Sequence, residues 1–354
     1  MIEYIRKYSH RGGNFVNYEV PMYSPAEVRK AGEILSRSES IVTEESLNAL
    51  RVVDNWRASH AYPLQVFYTH FKNRYSTFVI TQRIKRLPSI INKIHKLKNM
   101  DLSRMQDLGG CRIICDTIEN VYRIAQEYRL SRVSHVFANE KDYIQAPKKS
   151  GYRCLHMVYR YQSRSPSRRC YNGMRIEIQI RTHLQHLWAT GVEIISNATK
   201  ENLKSGDGDE SMQRFFALVS SLFALRENTP LVPDTPATES EIVEEIRELN
   251  NRYRILDRLE NISGLMEIVD RDPRFQKYKN GYLLLIRTQK QVSVIPYKPT
   301  QIDMATRDYN SIEIREEGMD VVLVRASSFD KLRQAYPNYY MDISEFIEIL
   351  NQYI

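Results

Sequence analysis

Apolar residues recur at helical spacing from the start of the chain. Ala26–Leu35 and Glu44–Ala58 carry no internal breaker, and the pattern predicts a helix over each. Ile80, Ile84, Leu87, Ile91 and Ile94 continue the same spacing and predict a helix over Ile80–Leu97, kinked or restarted at Pro88. The pattern then shortens. Cys111–Cys115 and Cys154–Tyr161 read as strands, with a helix over Val121–Tyr128 between them. Arg175–Arg181 alternates without a fault: Ile176, Ile178 and Ile180 share one face, and Arg175, Glu177, Gln179 and Arg181 the other. A helix over His183–Ile195 follows. Strands and helices mixed in this way predict an α/β or α+β domain.

Pro230, Pro233 and Pro236 suit neither a helix nor a central strand, so residues 228–238 are expected to link a unit spanning 1–227 to a second spanning 239–354. The second unit opens with an amphipathic helix whose stripe is Ile242, Ile246, Leu249, Tyr253, Leu256 and Leu259. Strands follow at Tyr282–Arg287, Val292–Tyr297 and Val321–Val324. Ser328 caps a short helix ending at Pro337. Asp342 with Glu345 predicts the N-cap of a last helix that buries Ile343, Phe346, Ile347 and Leu350.

Charge separates the two units. Residues 239–354 hold 16 Lys/Arg and 20 Asp/Glu, a net of −4, whereas the remainder holds 35 and 23, a net of +12. A basic body suits a polyanionic partner such as a nucleotide or nucleic acid. No run approaches the ~20 apolar residues of a membrane span. Met1–Gly13 is polar and basic, without the apolar stretch of a signal peptide, so a cytoplasmic protein away from membranes is expected. Cys111, Cys115, Cys154 and Cys170 form no CxxC pair, which favours reduced thiols over a zinc site.

Four stretches carry candidate chemistry. Between Arg83 and Arg104 lie seven Lys/Arg and one Asp; Arg83, Lys85, Ser89 and Lys93 either grip a triphosphate or form a solvated basic face. Asp107, followed by Gly109, Gly110 and Arg112, is either a magnesium ligand beside a close backbone approach or a plain turn before a strand. In the third stretch, Lys141, Lys148, Lys149 and Arg153 suit phosphates, and Tyr152 after Gly151 offers its ring to a base or simply anchors the loop. The fourth is the face of Glu177, Gln179 and Arg181, where charges backed by an all-Ile face call for partners and favour a functional reading. Asp107 and Glu177 are candidates to share one Mg²⁺. Ser163–Arg169 reads as a basic mobile loop, solvated or touching RNA.

Together these stretches resemble the RelA/SpoT alarmone synthetase family, whose pattern is R-x-K-x-x-x-S-I-x-x-K, D-x-x-G-x-R, G-Y-x-x-x-H and E-x-Q-I-R-T. Here it runs through Arg83, Lys85, Ser89 and Lys93; Asp107, Gly110 and Arg112; Gly151, Tyr152 and His156; and Glu177, Gln179, Arg181 and Thr182. The resemblance implies an α+β pyrophosphokinase domain with a mixed sheet and helices, which uses Mg²⁺ and ATP. In it Arg83, Lys85, Ser89 and Lys93 hold the ATP phosphates, Arg112 and Lys141 sandwich the adenine, and Asp107 ligates the metal. Glu177 assists the metal or acts as base, Tyr152 stacks on the acceptor base, and His156, Gln179 and Arg181 support the acceptor. No His-Asp pair of the family's hydrolase domain occurs.

The stretches Pro25–Gly32, Trp56–Leu64 and Trp188–Glu193 are similar to a toxic branch of the small synthetases, which pyrophosphorylates the tRNA 3′-CCA end or makes a toxic adenosine alarmone; the resemblance implies the tRNA 3′-CCA end as acceptor, with GDP or GTP as the alternative. The order of parts further resembles CapRel-type fusions. Those carry a small α+β regulatory domain of pseudo-zinc-finger fold whose Tyr-x-x-Tyr motif, Tyr336 and Tyr339 here, occupies the ATP site until a phage structural (capsid) protein releases it.

Overall fold

The computed structural model describes residues 18–38, 43–97, 100–199, 209–263, 267–268, 281–287, 291–315, 320–325 and 343–354. The described residues begin with three helices, α1 (Pro25–Arg37), α2 (Glu44–Ser59) and α3 (Ala61–Arg74). Ser24 and Thr43 close capping boxes at the first two, each side chain accepting from the backbone of the third helical residue.

The expected helix over Ile80–Leu97 is two elements: strand β1 (Val79–Ile84) and helix α4 (Leu87–Lys96), with Pro88 in its first turn. Residues four apart share a face in either period, so Ile80 and Ile84 were ambiguous. The β-branched run Val79, Ile80, Thr81 and Ile84 resolves to a strand once it pairs with a neighbour. Next come β2 (Gly109–Cys115), α5 (Ile118–Leu130), β3 (Val136–Asp142), β4 (Leu155–Arg160), β5 (Arg175–Thr182), α6 (His183–Thr199) and α7 (Glu210–Arg226). The residues after β4 are not a free loop: Pro166–Tyr171 is a 3-10 turn, and Arg168 lies 4.3 Å from the centre of the Tyr62 ring.

The amphipathic stretch after residue 238 is also two elements, α8 (Glu239–Tyr253) and α9 (Ile255–Ser263). Arg254 breaks it by taking a left-handed conformation, φ 52°. Then follow β6 (Glu267–Ile268), β7 (Tyr282–Arg287), β8 (Gln291–Tyr297), α10 (Ile302–Arg315), β9 (Asp320–Arg325) and α11 (Ser344–Asn351). Ile343 holds the N-cap position of α11, and Asp342 lies outside the described residues. The expected helix from Ser328 to Pro337, and Tyr336 and Tyr339 themselves, lie outside the described residues.

The nine strands among the described residues form one mixed sheet in the order β3-β4-β5-β2-β1-β9-β7-β8-β6, parallel at β2/β5 and β6/β8 and antiparallel elsewhere. The fold is therefore α+β. Strands from both ends of the chain meet where Gln82 and Arg83 of β1 face Arg325 and Val324 of β9. Around this junction the buried Arg57 donates to Tyr309 Oη (3.1 Å) and Asp54 Oδ1 (2.6 Å). Arg325 lies over the rings of Tyr68 and Tyr282.

One core packs α1–α5 against the Ile face of β5 and its neighbours. A second joins α6, α7, α8, α9 and α11 through Trp188, Phe216, Ile246, Leu259 and Phe346. The proline-rich residues 228–238 lie against α7, where Ser221 Oγ accepts from Val232 N (2.9 Å).

Candidate active site

The polar face of β5 forms the floor of an open cleft of about 350 Å³. The sheet register fixes its residues. Gln179 lies between His156 of β4 and Arg112 of β2, and Glu177 lies beside Gly110, which in turn faces Arg83 of β1. The two glycines of β2 differ in duty. A Cβ on Gly109 would meet Ile176 Cδ1 at 2.8 Å, so Gly109 serves packing, whereas Gly110 lines the cleft beside Glu177.

At one side of the cleft Asp107 is held by two ammonium groups. Lys85 Nζ lies 3.0 Å from Oδ2, and Lys93 Nζ lies 2.9 Å from Oδ2 and 3.0 Å from Oδ1. Burial alone would raise the Asp107 pKa, but the two lysines outweigh it and bring it down to about 2. Burial also lowers the Lys85 pKa, and Asp107 opposes that shift.

Glu177 accepts from His156 Nδ1 (3.0 Å) and Gln179 Nε2 (2.6 Å). Desolvation works against the Glu177 charge, yet these donors pull its pKa below the ordinary value, so the carboxylate is charged at neutral pH. Burial likewise opposes charge on His156, but its contacts with Tyr152, Cys154 and Glu177 carry its pKa well above the usual value. Tyr152 Oη lies 2.8 Å from His156 Nε2. The rings of Tyr143, Tyr152 and His156 meet edge to face, with Lys148 Nζ 4.7 Å above Tyr143 and 5.2 Å above Tyr152. Arg181 is buried, and its Nη2 donates to His186 Nδ1 at 2.6 Å. Its Nε has no hydrogen-bond partner among the described residues.

Of the residues singled out above, Arg83, Lys85, Lys93, Asp107, Arg112, Lys141, Tyr152, His156, Glu177, Gln179 and Arg181 line this cleft or its inner recess. Ser89 sits in the first turn of α4 and is not among the lining residues. Arg153 corrects an expectation. It is buried away from the cleft, donating to Ser220 Oγ (2.9 Å), Ile144 O (3.2 Å) and Pro230 O (2.6 Å), and so ties the loop before β4 to α7 and residues 228–238. Gln106, Asn139, Tyr143 and Lys148 also line the cleft. Asn139 and Lys141 share a face of β3, a strand whose polar sequence gives no alternation to find it by.

Among the described residues no three His, Cys, Asp or Glu side chains cluster to make a protein-only metal site. Asp107 and Glu177 nevertheless share the recess with Lys85 and Gly110. Two carboxylates completed by phosphate and water oxygens suit Mg²⁺, which dehydrates reluctantly and seldom takes an all-protein cage. The donor set therefore fits that ion.

Converging cations beside two charged carboxylates, on the polar face of a mixed sheet, define a cleft suited to a polyphosphate and its counter-ion. Residues 82–200 match the family described as the region found in RelA / SpoT proteins. The chain is similar to the GTP pyrophosphokinase YjbM of Bacillus subtilis, 33% identical over 113 residues, covering 31% of this chain and 52% of that one. It is also similar to the GTP pyrophosphokinase YwaC of the same organism, 32% identical over 114 residues, 30% of this chain and 52% of that one. The chain thus spans about half the length of these curated relatives. Among solved structures, the small alarmone synthetase 2 of Bacillus subtilis aligns with a TM-score of 0.40 at 23% identity, over 50% of this chain and 92% of that one.

Proposed function

We propose that this chain is an ATP-dependent pyrophosphokinase that transfers the β,γ-pyrophosphate of ATP to a nucleotide 3′-hydroxyl. The observation that carries the reading is the meeting of Asp107, Glu177 and the cations of three separate motifs in one cleft. In this reading Arg83, Lys85, Ser89 and Lys93 hold the triphosphate, while Arg112 and Lys141 flank the adenine. The lysines that now neutralise Asp107 would turn to the phosphates where Asp107 holds Mg²⁺, which would supply charge neutralisation at the reacting phosphates. Glu177, fixed by His156 and Gln179, either assists in holding the metal or accepts the hydroxyl proton. The hydroxyl oxygen bonds to the β-phosphorus, the bond from that phosphorus to the α–β bridging oxygen breaks, and AMP leaves. Tyr152, backed by Tyr143 and Lys148, stacks on the acceptor base, and the unpartnered Nε of the buried Arg181 gives that side a donor to spare.

Different observations support two acceptors. The names of the relatives favour GDP or GTP. The fused C-terminal unit and the order of motifs favour the tRNA 3′-CCA end, with Tyr336 and Tyr339 restraining the ATP site until a phage capsid protein relieves it. Incubating the full chain with ATP labelled in its γ-phosphate, bulk tRNA and GDP decides between them by which acceptor takes the label. Glu177→Gln should abolish transfer while ATP still binds; unchanged transfer would overturn the pyrophosphokinase reading. If Tyr336→Ala with Tyr339→Ala leaves activity at the wild-type level, the restraint does not exist.

A further inference from the structure

The polar face of β5 does not end at Glu177. Two residues earlier, about 7 Å along the strand, Arg175 shares that face. Directly opposite it in the antiparallel pairing with β4 stands Arg160. Like charges in this position destabilise a strand pair. Arg104, from the 3-10 turn Leu102–Arg104, adds a third guanidinium near enough to act on Arg175. Arg104 and Arg160 are exposed and Arg175 is half-buried. Burial, Arg104 and Arg160 all disfavour the charge on Arg175, and Asp101 alone opposes them. Asp101 is itself engaged, accepting from Ser103 N (2.9 Å) and Ser103 Oγ (2.6 Å). Between Arg160 and Arg175 the sequence adds Arg164, Arg168 and Arg169 and contains no Asp or Glu.

We propose that Arg104, Arg160 and Arg175 form a binding site for the phosphodiester backbone of an RNA strand, outside the catalytic cleft and continuous with it. The cations are arginines, whose planar forks suit phosphate oxygens. They are spread along a hairpin and a neighbouring turn, a span that suits consecutive phosphates better than the phosphates of one nucleotide. An acidic strand laid across them would relieve the repulsion between Arg160 and Arg175. The site goes beyond the pyrophosphokinase reading and does not require it, because binding can be measured without transfer.

The test uses the full chain, fluorescently labelled bulk tRNA, and the double variant Arg104→Gln/Arg160→Gln. Binding is titrated over a series of salt concentrations, with ATP and GTP affinities measured alongside. The slope of log affinity against log salt should fall by about 1 for each arginine removed, with ATP and GTP affinities unchanged. The melting temperature should hold or rise, because a like-charge contact is gone. Arg104→Lys/Arg160→Lys should keep most of the slope, which separates lost charge from lost structure. An unchanged tRNA slope in the glutamine variant overturns the site. So does a loss confined to ATP or GTP, which would make the cluster part of the nucleotide pocket. Arginine-dependent tRNA binding by a chain that transfers no pyrophosphate would uphold this inference and defeat the proposed activity.

Discussion

Gly151→Ala tests the loop that presents Tyr152. Gly151 has φ +91°, and a Cβ there would stand 2.7 Å from Trp188 Cζ2, 2.9 Å from Ser220 Cβ and 3.1 Å from Phe216 O. Neither side chain is free to retreat. Trp188 Nε1 donates to Phe216 O at 2.7 Å, and Ser220 Oγ donates to Gly151 O at 2.7 Å while accepting from Arg153. The positive φ costs an L-residue about 1–2 kcal/mol, and overpacking against held neighbours adds about 1–3 kcal/mol. The expected loss is roughly 2–5 kcal/mol of unfolding free energy. Gly173→Ala is the control, since Gly173 has φ +89° with nothing within 4 Å of its added Cβ, so only the backbone contribution of about 1–2 kcal/mol applies. Urea unfolding followed by tryptophan fluorescence measures both, and their difference isolates the steric part. If Gly151→Ala costs no more than Gly173→Ala, the packing of this loop against Trp188 and Ser220 is misread. In the transfer assay the same variant should raise the acceptor KM more than the ATP KM, because Lys148 and Tyr152 flank the altered turn.

Three further outcomes are expected. Burial brings the His60 and His135 pKa values down to about 4. Below the ordinary histidine value of about 6.5 the unfolded chain therefore takes up protons that the fold refuses. Stability should fall as pH drops from about 6.5 toward 4, by about 1–2 kcal/mol per histidine at pH 5; urea midpoints at pH 7 and 5 measure this, and His60→Gln should flatten the profile. Asp107→Asn removes the charge between Lys85 and Lys93 and should cut pyrophosphate transfer by at least about 100-fold, read in the labelled-ATP assay. Cys170 is exposed, whereas Cys111, Cys115 and Cys154 are buried. A thiol reagent should modify a single cysteine rapidly in the native protein and the others only on unfolding.

The cleft was largely legible because its residues lie in short motifs whose spacing survives any misreading of the elements around them. Glu177, Gln179 and Arg181 fall on one face whatever β5 pairs with. Arg83 and Lys85 belong to the cleft even though the segment carrying Arg83 is a strand and not a helix. The periodicity failed where two periods coincide, as at Ile80 and Ile84, and where a strand has little apolar contrast, as in β3, so Asn139 had no pattern to announce it. Arg153 was misplaced because a lone cation in a lysine-rich loop gives no sign that Ser220 and Pro230 will fold over it. The pairing of β1 with β9 was invisible, since it joins residues far apart in sequence by shape alone.

That pairing has a consequence for the strand that carries Arg83. With β2 on one side and β9 on the other, the main chain at Gln82 and Arg83 is shielded on both flanks. Cutting the chain after residue 238 would remove β9 and open this flank of β1 at Gln82 and Arg83, the kind of edge that recruits other chains. The isolated N-terminal part should therefore self-associate through β1. In the intact chain β9 thus doubles as an edge guard for the sheet that floors the cleft.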